Sequence, residues 1–204
     1  PVLVAILIQA FLSRAHANWA AVAYVAATVL VIATMIRDVA WPWLKSSFAL
    51  HAAVIVLILV GMATAGMVPM PFGGAPFART LGWEEVADSV RREVASASAR
   101  GEPYAAILSD DRPVTAELLY YMHGEKTPIY AWSGAGRPRD HFELVRPFTS
   151  SVGVPILLVT LFGDQTKVPA KFHSAEKIAE KTLPAGVNAT RRVVFYRLSG
   201  YKDE

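Results

Sequence analysis

Cysteine is missing from all 204 residues of the sequence. Its absence excludes disulfides, thiolate metal sites and cysteine nucleophiles within the chain, and it is compatible with either side of a membrane. The sequence also lacks a phosphate-binding loop of the Walker type and a G-x-G-x-x-G fingerprint, so we do not expect nucleotide binding. A G-x-S-x-G nucleophile elbow is absent as well. No complete active site, and no catalytic residue, is therefore recognisable from the sequence.

Net charge is small, because the sequence has 20 Lys and Arg residues and 17 Asp and Glu residues, which gives +3. Up to Val68 the basic residues are Arg14, Arg37 and Lys45 and the only acid is Asp38, so the rest of the chain carries about +1. No stripe of basic residues with interleaved aromatic residues is present. The sequence therefore argues against nucleic acid as a partner.

Two long stretches have no acidic or basic residue in their interior, one from about Ala15 to Ile36 and one from about Phe48 to Val68. Each has the roughly 20 apolar residues that a helix needs to cross a bilayer, so we predict two full transmembrane helices. A third apolar run, Pro1 to Leu12, does not have the composition of a signal peptide. We interpret it as the end of an earlier span, and we expect the parent protein to continue upstream.

The orientation of these helices is predicted from the flanking charges. The loop between the two full spans contains Arg37, Lys45, Trp41 and Trp43, whereas the preceding loop has one cation, Arg14. The positive-inside rule places the loop with two cations in the cytoplasm. The chain after Val68 is therefore expected outside the cytoplasmic membrane, in the periplasm or the extracellular space.

A segment rich in proline and glycine, residues 69–80, is predicted to link the membrane part to an α/β domain at residues 81–204. Helical periodicity or apolar runs favour helices at Trp83–Ala99, Thr115–His123 and Ala170–Lys181 and strands at Tyr104–Leu108, Pro128–Trp132, Pro155–Leu161 and Arg191–Leu198. Strands that alternate with helices predict a mainly parallel sheet with both faces covered. The expected fold class is thus an α-helical transmembrane segment followed by a small α/β domain.

Asp110 and Asp111 follow the first predicted strand, where parallel sheets place their ligand sites. Adjacent carboxylates diverge on an extended or turning backbone, and no histidine at ligand spacing accompanies them. Turn formation and helix capping are the first interpretation, binding of a sugar or phosphate group is the second, and a divalent metal is the third. No cofactor is identifiable, although a divalent metal is not excluded.

His141 lies in a segment that carries charges of both signs, residues 137–143. A solvated loop with local ion pairs is the first interpretation, and contact with a ligand or proton transfer are the alternatives. Near the N-terminus, Arg14, His16 and Asn18 place a cation, a titratable ring and an amide at the predicted membrane interface. This group suits an anionic lipid headgroup, or else Arg14 extends to the interface beside Trp19 in an aromatic belt.

Several short segments, taken in their order, resemble the C-terminal part of bacterial glycosyltransferase family 39 proteins, which are membrane enzymes of the GT-C type. Their relatives include the protein mannosyltransferases and the lipid A aminoarabinose transferase. The segments that carry the resemblance are Arg14–Tyr24, Leu81–Val86, Asp110–Arg112, Thr115–Tyr121, His141–Leu144 and Phe195–Leu198.

The resemblance implies transfer of a sugar from a polyprenyl-phosphate carrier to a lipid or glycan acceptor at the external face of the cytoplasmic membrane. It further implies that an acidic residue in an upstream external loop activates the acceptor, so the present fragment is expected to be inactive alone. Arg14, His16 and Asn18 are then the candidates that contact the carrier phosphate, where a cation stabilises the leaving group. The alternative is a noncatalytic membrane-anchored α/β module that binds a glycan or a partner protein.

Overall fold

The computed structural model describes residues 4, 5, 7–9, 21–68, 77–134 and 137–202. The chain divides into two compact units, Pro1–Ala63 and Thr64–Glu204, and each is described by itself below. Most of the predicted linker, residues 69–76, lies outside the described residues.

In the described part of the first unit, residues 4, 5 and 7–9 are helical, and two helices have described bounds, α1 (Ala21–Arg37) and α2 (Trp41–Ala63). Among the described residues, α2 alone is long and apolar enough to cross a membrane, and its apolar stretch is not buried within the structure. It begins seven residues before the predicted span, because Pro42 is tolerated in the first turn of a helix. The first part of the other predicted span, residues 15–20, lies outside the described residues, and α1 has 17 residues.

The second unit is built on a five-stranded sheet with the order β2-β1-β3-β5-β4. The strands are β1 (Ala106–Ser109), β2 (Ile129–Ala131), β3 (Ile156–Thr160), β4 (Phe172–Pro184) and β5 (Thr190–Tyr201). Strand β1 pairs in parallel with β2 and β3, whereas β5 is antiparallel to both β3 and β4. The sheet is therefore mixed, and the prediction of a mainly parallel sheet holds only for its β2-β1-β3 half.

Strand β4 contradicts the helix predicted at Ala170–Lys181. The segment is rich in Ala, Glu and Lys, which favour helices, but it forms a hairpin with β5 that extends from the pair Phe172–Tyr201 to the pair Pro184–Thr190. Pairing with a buried strand overrides local propensity here. The charged side chains lie on an exposed edge strand, where they discourage pairing with another chain.

One face of the sheet is covered by helices α3 (Trp83–Ala99) and α4 (Arg112–Tyr121). The core of this helix-covered face combines apolar side chains of both helices with alternate residues of the strands. Its largest buried members include Val86, Val90, Val114, Leu118, Ile107, Leu157, Val159 and Phe195. Because side chains alternate along a strand, the intervening residues of β1, β3 and β5 point to the opposite face.

The opposite face carries a group of four aromatic rings, Trp132, Phe148, Phe172 and Tyr201, which we call the aromatic cluster. Its ring centroids are 5.4 to 6.2 Å apart, and the rings are tilted or edge-on, as expected for favourable aromatic pairs. They pack beside Leu108, Leu158 and other strand residues of this ring-covered face.

The start of α3 is fixed against the β4-β5 hairpin. Gly82 precedes the helix with φ of +76°, and a Cβ at this position would overlap the carbonyl oxygen of Pro184. The guanidinium of Arg191 lies 3.7 Å from the centre of the Trp83 ring and donates to the carbonyl oxygens of Ala78 and Leu81 at 2.8 and 2.9 Å. The Leu81-Gly82-Trp83 segment therefore attaches the start of α3 to the β4-β5 hairpin, and we call this contact the joint.

Candidate functional site

A cavity of about 450 Å³ lies at the carboxyl ends of the parallel strands. Asp110 follows β1 directly, Trp132 follows β2 directly, and the segment from Phe162 to Val168 follows β3. Ligands of parallel sheets bind at this edge, and the volume is within the range of small-molecule sites. The lining residues are Asp110, Trp132, Gly134, Arg137, Arg139, Glu143, Phe162, Gln165, Thr166, Lys167 and Val168.

The carboxylate of Asp110 is only half satisfied. Its Oδ2 accepts a hydrogen bond from the Thr166 hydroxyl at 2.5 Å. Its Oδ1 is buried and accepts no hydrogen bond from the described residues. A buried oxygen without a donor is costly, and native proteins leave few of them. Asp110 also lines the cavity, so a small movement of the residues that cover this oxygen would let it accept a hydrogen bond from a donor there.

A short helix, α5 (His141–Val145), supplies one wall of the cavity. Asp140 caps it, because its Oδ1 accepts from the backbone N–H groups of Phe142 and Glu143 at 2.8 and 3.0 Å. Glu143 is buried, with 5% of its surface exposed, and its carboxylate accepts from the backbone and the guanidinium of Arg139. This pairing raises the pKa of Arg139 and holds its charge at the cavity wall.

The lining carries a surplus of positive charge. Among the described lining residues, Arg137, Arg139 and Lys167 are cationic and Asp110 and Glu143 are anionic, so their side chains sum to about +1. Arg139 is paired with Glu143, whereas in the part of the chain that the structure describes neither Arg137 nor Lys167 forms an ion pair. The cavity thus combines an unpaired buried acceptor with two cations whose charges are not neutralised.

Asp111 is separated from the cavity although it adjoins Asp110. It occupies the position before α4 with an extended backbone, and its side chain makes no capping hydrogen bond. Its backbone oxygen accepts from both the N–H and the hydroxyl of Thr115. Burial and the adjacent Asp110 raise the pKa of the Asp111 carboxyl, which Arg191 partly offsets. The two carboxylates thus have different surroundings, and Asp111 is not part of the lining.

The structure places the other predicted site residues away from the cavity or does not describe them. His141 is exposed, does not line the cavity, and has its ring edge-on to Phe142 with centroids 5.8 Å apart. Arg14, His16 and Asn18 lie outside the described residues. Across the described ranges, no group of three or more His, Cys, Asp or Glu residues is arranged to hold a metal ion.

Several lining residues were not recognised from the sequence as site residues. Thr166 is 56 positions from Asp110, so only the fold brings the two together. Glu143 and Arg139 lie in the charged segment around His141, and the sequence marks only the histidine of this segment as a candidate. Trp132 ends the second predicted strand, and the rule that ligands bind at the carboxyl ends of parallel strands could have identified it.

Comparison with known proteins shows one informative similarity. The chain is 30% identical over 161 residues to the lipid A galacturonosyltransferase RgtD of Rhizobium johnstonii, a match that covers 78% of this chain and 33% of that protein. The chain thus spans about a third of the length of the curated relative it matches. Neither of its two units is long enough to contain the match alone, so the similarity extends into both.

No protein-family model matches the chain. No solved structure matches it either.

Proposed function

We propose that the chain is part of a membrane glycosyltransferase that transfers a sugar from a polyprenyl-phosphate carrier to a lipid or glycan acceptor. The observation that carries the proposal is the match to a lipid A galacturonosyltransferase, which extends into both units. Helix α2 adds support, because a helix of its length and composition suits a protein that works on lipid-linked substrates.

In this proposal the second unit, Thr64–Glu204, lies on the external side of the cytoplasmic membrane, in a protein with several spans. The charges of the loop between α1 and α2 support this orientation, since Arg37 and Lys45 favour the cytoplasmic side. By analogy with the relative, the expected donor sugar is galacturonic acid and the expected acceptor is lipid A.

The reaction would be an inverting transfer. An acceptor hydroxyl attacks the anomeric carbon, the bond from that carbon to the carrier phosphate oxygen breaks, and polyprenyl phosphate leaves with the electron pair. The hydroxyl proton passes to a carboxylate, which we assign to an upstream part of the parent protein. Arg14, with His16 and Asn18, would contact the carrier phosphate, where a cation stabilises the negative charge that develops.

A noncatalytic role is the second candidate, and the cavity beside Asp110 favours it. All the described residues that line the cavity belong to the second unit, so this unit could bind a glycan by itself. In that case the parent protein would bind saccharides at the cell envelope without transferring them.

The test uses the intact parent protein in lipid nanodiscs with lipid A as the acceptor. We expect galacturonic acid to be transferred from a polyprenyl-phosphate donor and not from a nucleotide donor. Transfer only from the nucleotide-linked sugar would contradict the proposed carrier. Absence of transfer from both donors would favour the noncatalytic candidate.

A substitution tests the proposed carrier site separately. Arg14→Ala should lower turnover by about tenfold or more, because one charge-assisted contact to the leaving phosphate is lost. Arg92→Ala, which removes an exposed cation from α3, is the matched control and should leave turnover unchanged. If Arg14→Ala has normal turnover, Arg14 does not belong to the site.

A further inference from the structure

We propose that the cavity of the second unit binds a saccharide that carries one anionic group, either a carboxylate or a phosphate. The inference rests on the proposed function only in taking a saccharide as the ligand. The chemistry of the lining carries the rest, since it presents an unsatisfied buried acceptor, unpaired cations and apolar side chains around one volume.

The buried oxygen of Asp110 selects for a hydrogen-bond donor. Oδ1 accepts nothing from the described residues, while Thr166 holds Oδ2 and thereby fixes the orientation of the carboxylate. Once the residues that cover Oδ1 move slightly, a sugar hydroxyl can donate to it and gain a charge-assisted hydrogen bond. Chloride and sulfate have no hydrogen to donate, so a ligand with hydroxyl groups fits this oxygen better than they do.

The cations select for a single negative charge. Arg137 and Lys167 line the cavity without an ion pair in the described ranges, and Arg139 is tied to the buried carboxylate of Glu143. The charge of about +1 summed over the described lining residues balances one anionic group. A diphosphate would bring excess negative charge close to Asp110 and Glu143, and no phosphate-binding glycine loop is present in the sequence to hold it.

The apolar part of the lining suits the ring of a pyranose. Trp132, Phe162 and Val168 supply apolar surface, and packing of Trp132 within the aromatic cluster restrains its position. The volume of about 450 Å³ is sufficient for a monosaccharide and its hydration shell. Polar hydroxyls and apolar C–H groups of one sugar would thus both find partners.

The test measures binding to the full chain in detergent micelles by saturation-transfer NMR and titration calorimetry. The probes are glucose, glucuronic acid and glucose 6-phosphate, which share one ring and differ in the group at carbon 6. We expect at least one of the two anionic sugars to bind at least about tenfold more tightly than glucose. The stronger of the two identifies the anionic group as carboxylate or phosphate.

Three variants separate the contributions. Arg137→Gln combined with Lys167→Gln should lower the affinity for the anionic sugar about tenfold and leave glucose unaffected. Arg92→Gln combined with Lys126→Gln removes the same charge from exposed positions outside the cavity. This control should change neither the affinity for the anionic sugar nor the affinity for glucose. Asp110→Ala should also lower the affinity for the anionic sugar, although the substitution makes the cavity more positive.

Each contrary result has a definite meaning. Equal binding of glucose and both anionic sugars overturns the requirement for an anion, and absence of binding by all three overturns the site. Tighter binding by Asp110→Ala overturns the role of the buried acceptor. Because these measurements need no turnover, a protein that transfers sugar but binds none of the probes contradicts this inference alone. A protein that binds the anionic sugar but transfers none contradicts only the proposed function.

Discussion

The two faces of the sheet in the second unit are built in different ways. Helices α3 and α4 cover one face with a continuous apolar core, whereas the other face is closed by four aromatic rings and by loops that follow the strands. The cavity borders the ring-covered face, since Trp132 belongs both to its lining and to the aromatic cluster. The helix-covered face therefore supplies stability, and the ring-covered face leaves room for a ligand.

Asp110 and Asp111 show the same difference at the level of single residues. Consecutive side chains of an extended segment point in opposite directions, so Asp110 lines the cavity and Asp111 does not. The charge of Arg191, which packs on Trp83, instead acts on the pKa of Asp111. One residue of the pair is thus available to a ligand, and the other is linked to the helix-covered face.

The largest effect should come from the core of the helix-covered face. Phe195→Ala removes a fully buried ring and should lower the free energy of unfolding by about 3 to 5 kcal/mol. Phe172→Ala on the ring-covered face should cost less, because its neighbours at the sheet edge can shift to fill the space. Denaturant unfolding of the full chain in detergent measures both. Equal costs would show that the two faces are equally rigid.

Gly82 tests the joint between α3 and the hairpin. Gly82→Ala combines an unfavourable positive φ with overlap against the Pro184 carbonyl, and it should cost about 2 to 4 kcal/mol. Gly124→Ala is the matched control, because a Cβ there meets no atom within 4 Å. Thermal unfolding should separate the two variants, and similar midpoints would contradict the role given to Gly82.

Arg191 tests the same joint through its polar contacts. Arg191→Gln loses the stacking on Trp83 and the hydrogen bonds to the backbone carbonyls of residues 78, 79 and 81, and it should cost about 2 kcal/mol. Amide hydrogen exchange should then accelerate in residues 77–82. Arg192→Gln removes an exposed ion pair with Glu180 and should leave both the exchange and the unfolding midpoint unchanged. Faster exchange in both variants would show that charge alone is responsible.

The smallest effect concerns the pH dependence of Asp111. Burial raises the pKa of its carboxyl, so the folded chain binds this proton more tightly than the unfolded chain. Stability from this group is therefore lost as the pH rises through the carboxyl range. Asp111→Asn should be more stable than the original at pH 7 by less than about 1 kcal/mol, after allowance for solvent screening.

The gain from Asp111→Asn should disappear near about pH 3, where the carboxyl is protonated in both states. Unfolding midpoints measured at the two pH values check this expectation. Glu176→Gln, which removes one negative charge from the exposed strand β4, is the control for a change in net charge. A gain that persists unchanged at low pH would contradict the electrostatic cause.

Elements with strong local patterns could be predicted from the sequence. The predicted bounds of α3, Trp83–Ala99, are those of the structure, because its apolar residues recur at helical spacing next to a charged face. The continuous apolar run of β3 was similarly clear. Strand β4 was predicted wrongly, since its composition favours a helix and only pairing with β5 makes it a strand.

The site was less accessible to prediction than the fold. The position of Asp110 after a buried strand indicated a ligand edge, and the structure places it in the cavity. Its contact with Thr166, the burial of Glu143 and the approach of Lys167 depend on chain segments that are distant in sequence. The chemistry of the His141 ring makes it a candidate, but the residue type alone gives no information about where a side chain points.

The central claim is that α2 crosses the membrane and leaves the second unit on its external side. The chain contains no cysteine, so once any cysteine elsewhere in the intact protein is replaced by serine, a single thiol introduced into the chain reports one position. In spheroplasts of cells that make the intact protein, a membrane-impermeant maleimide should label Lys126→Cys, whereas Asp38→Cys should react only after lysis. Labelling of Asp38→Cys before lysis, with Lys126→Cys protected, would contradict the account.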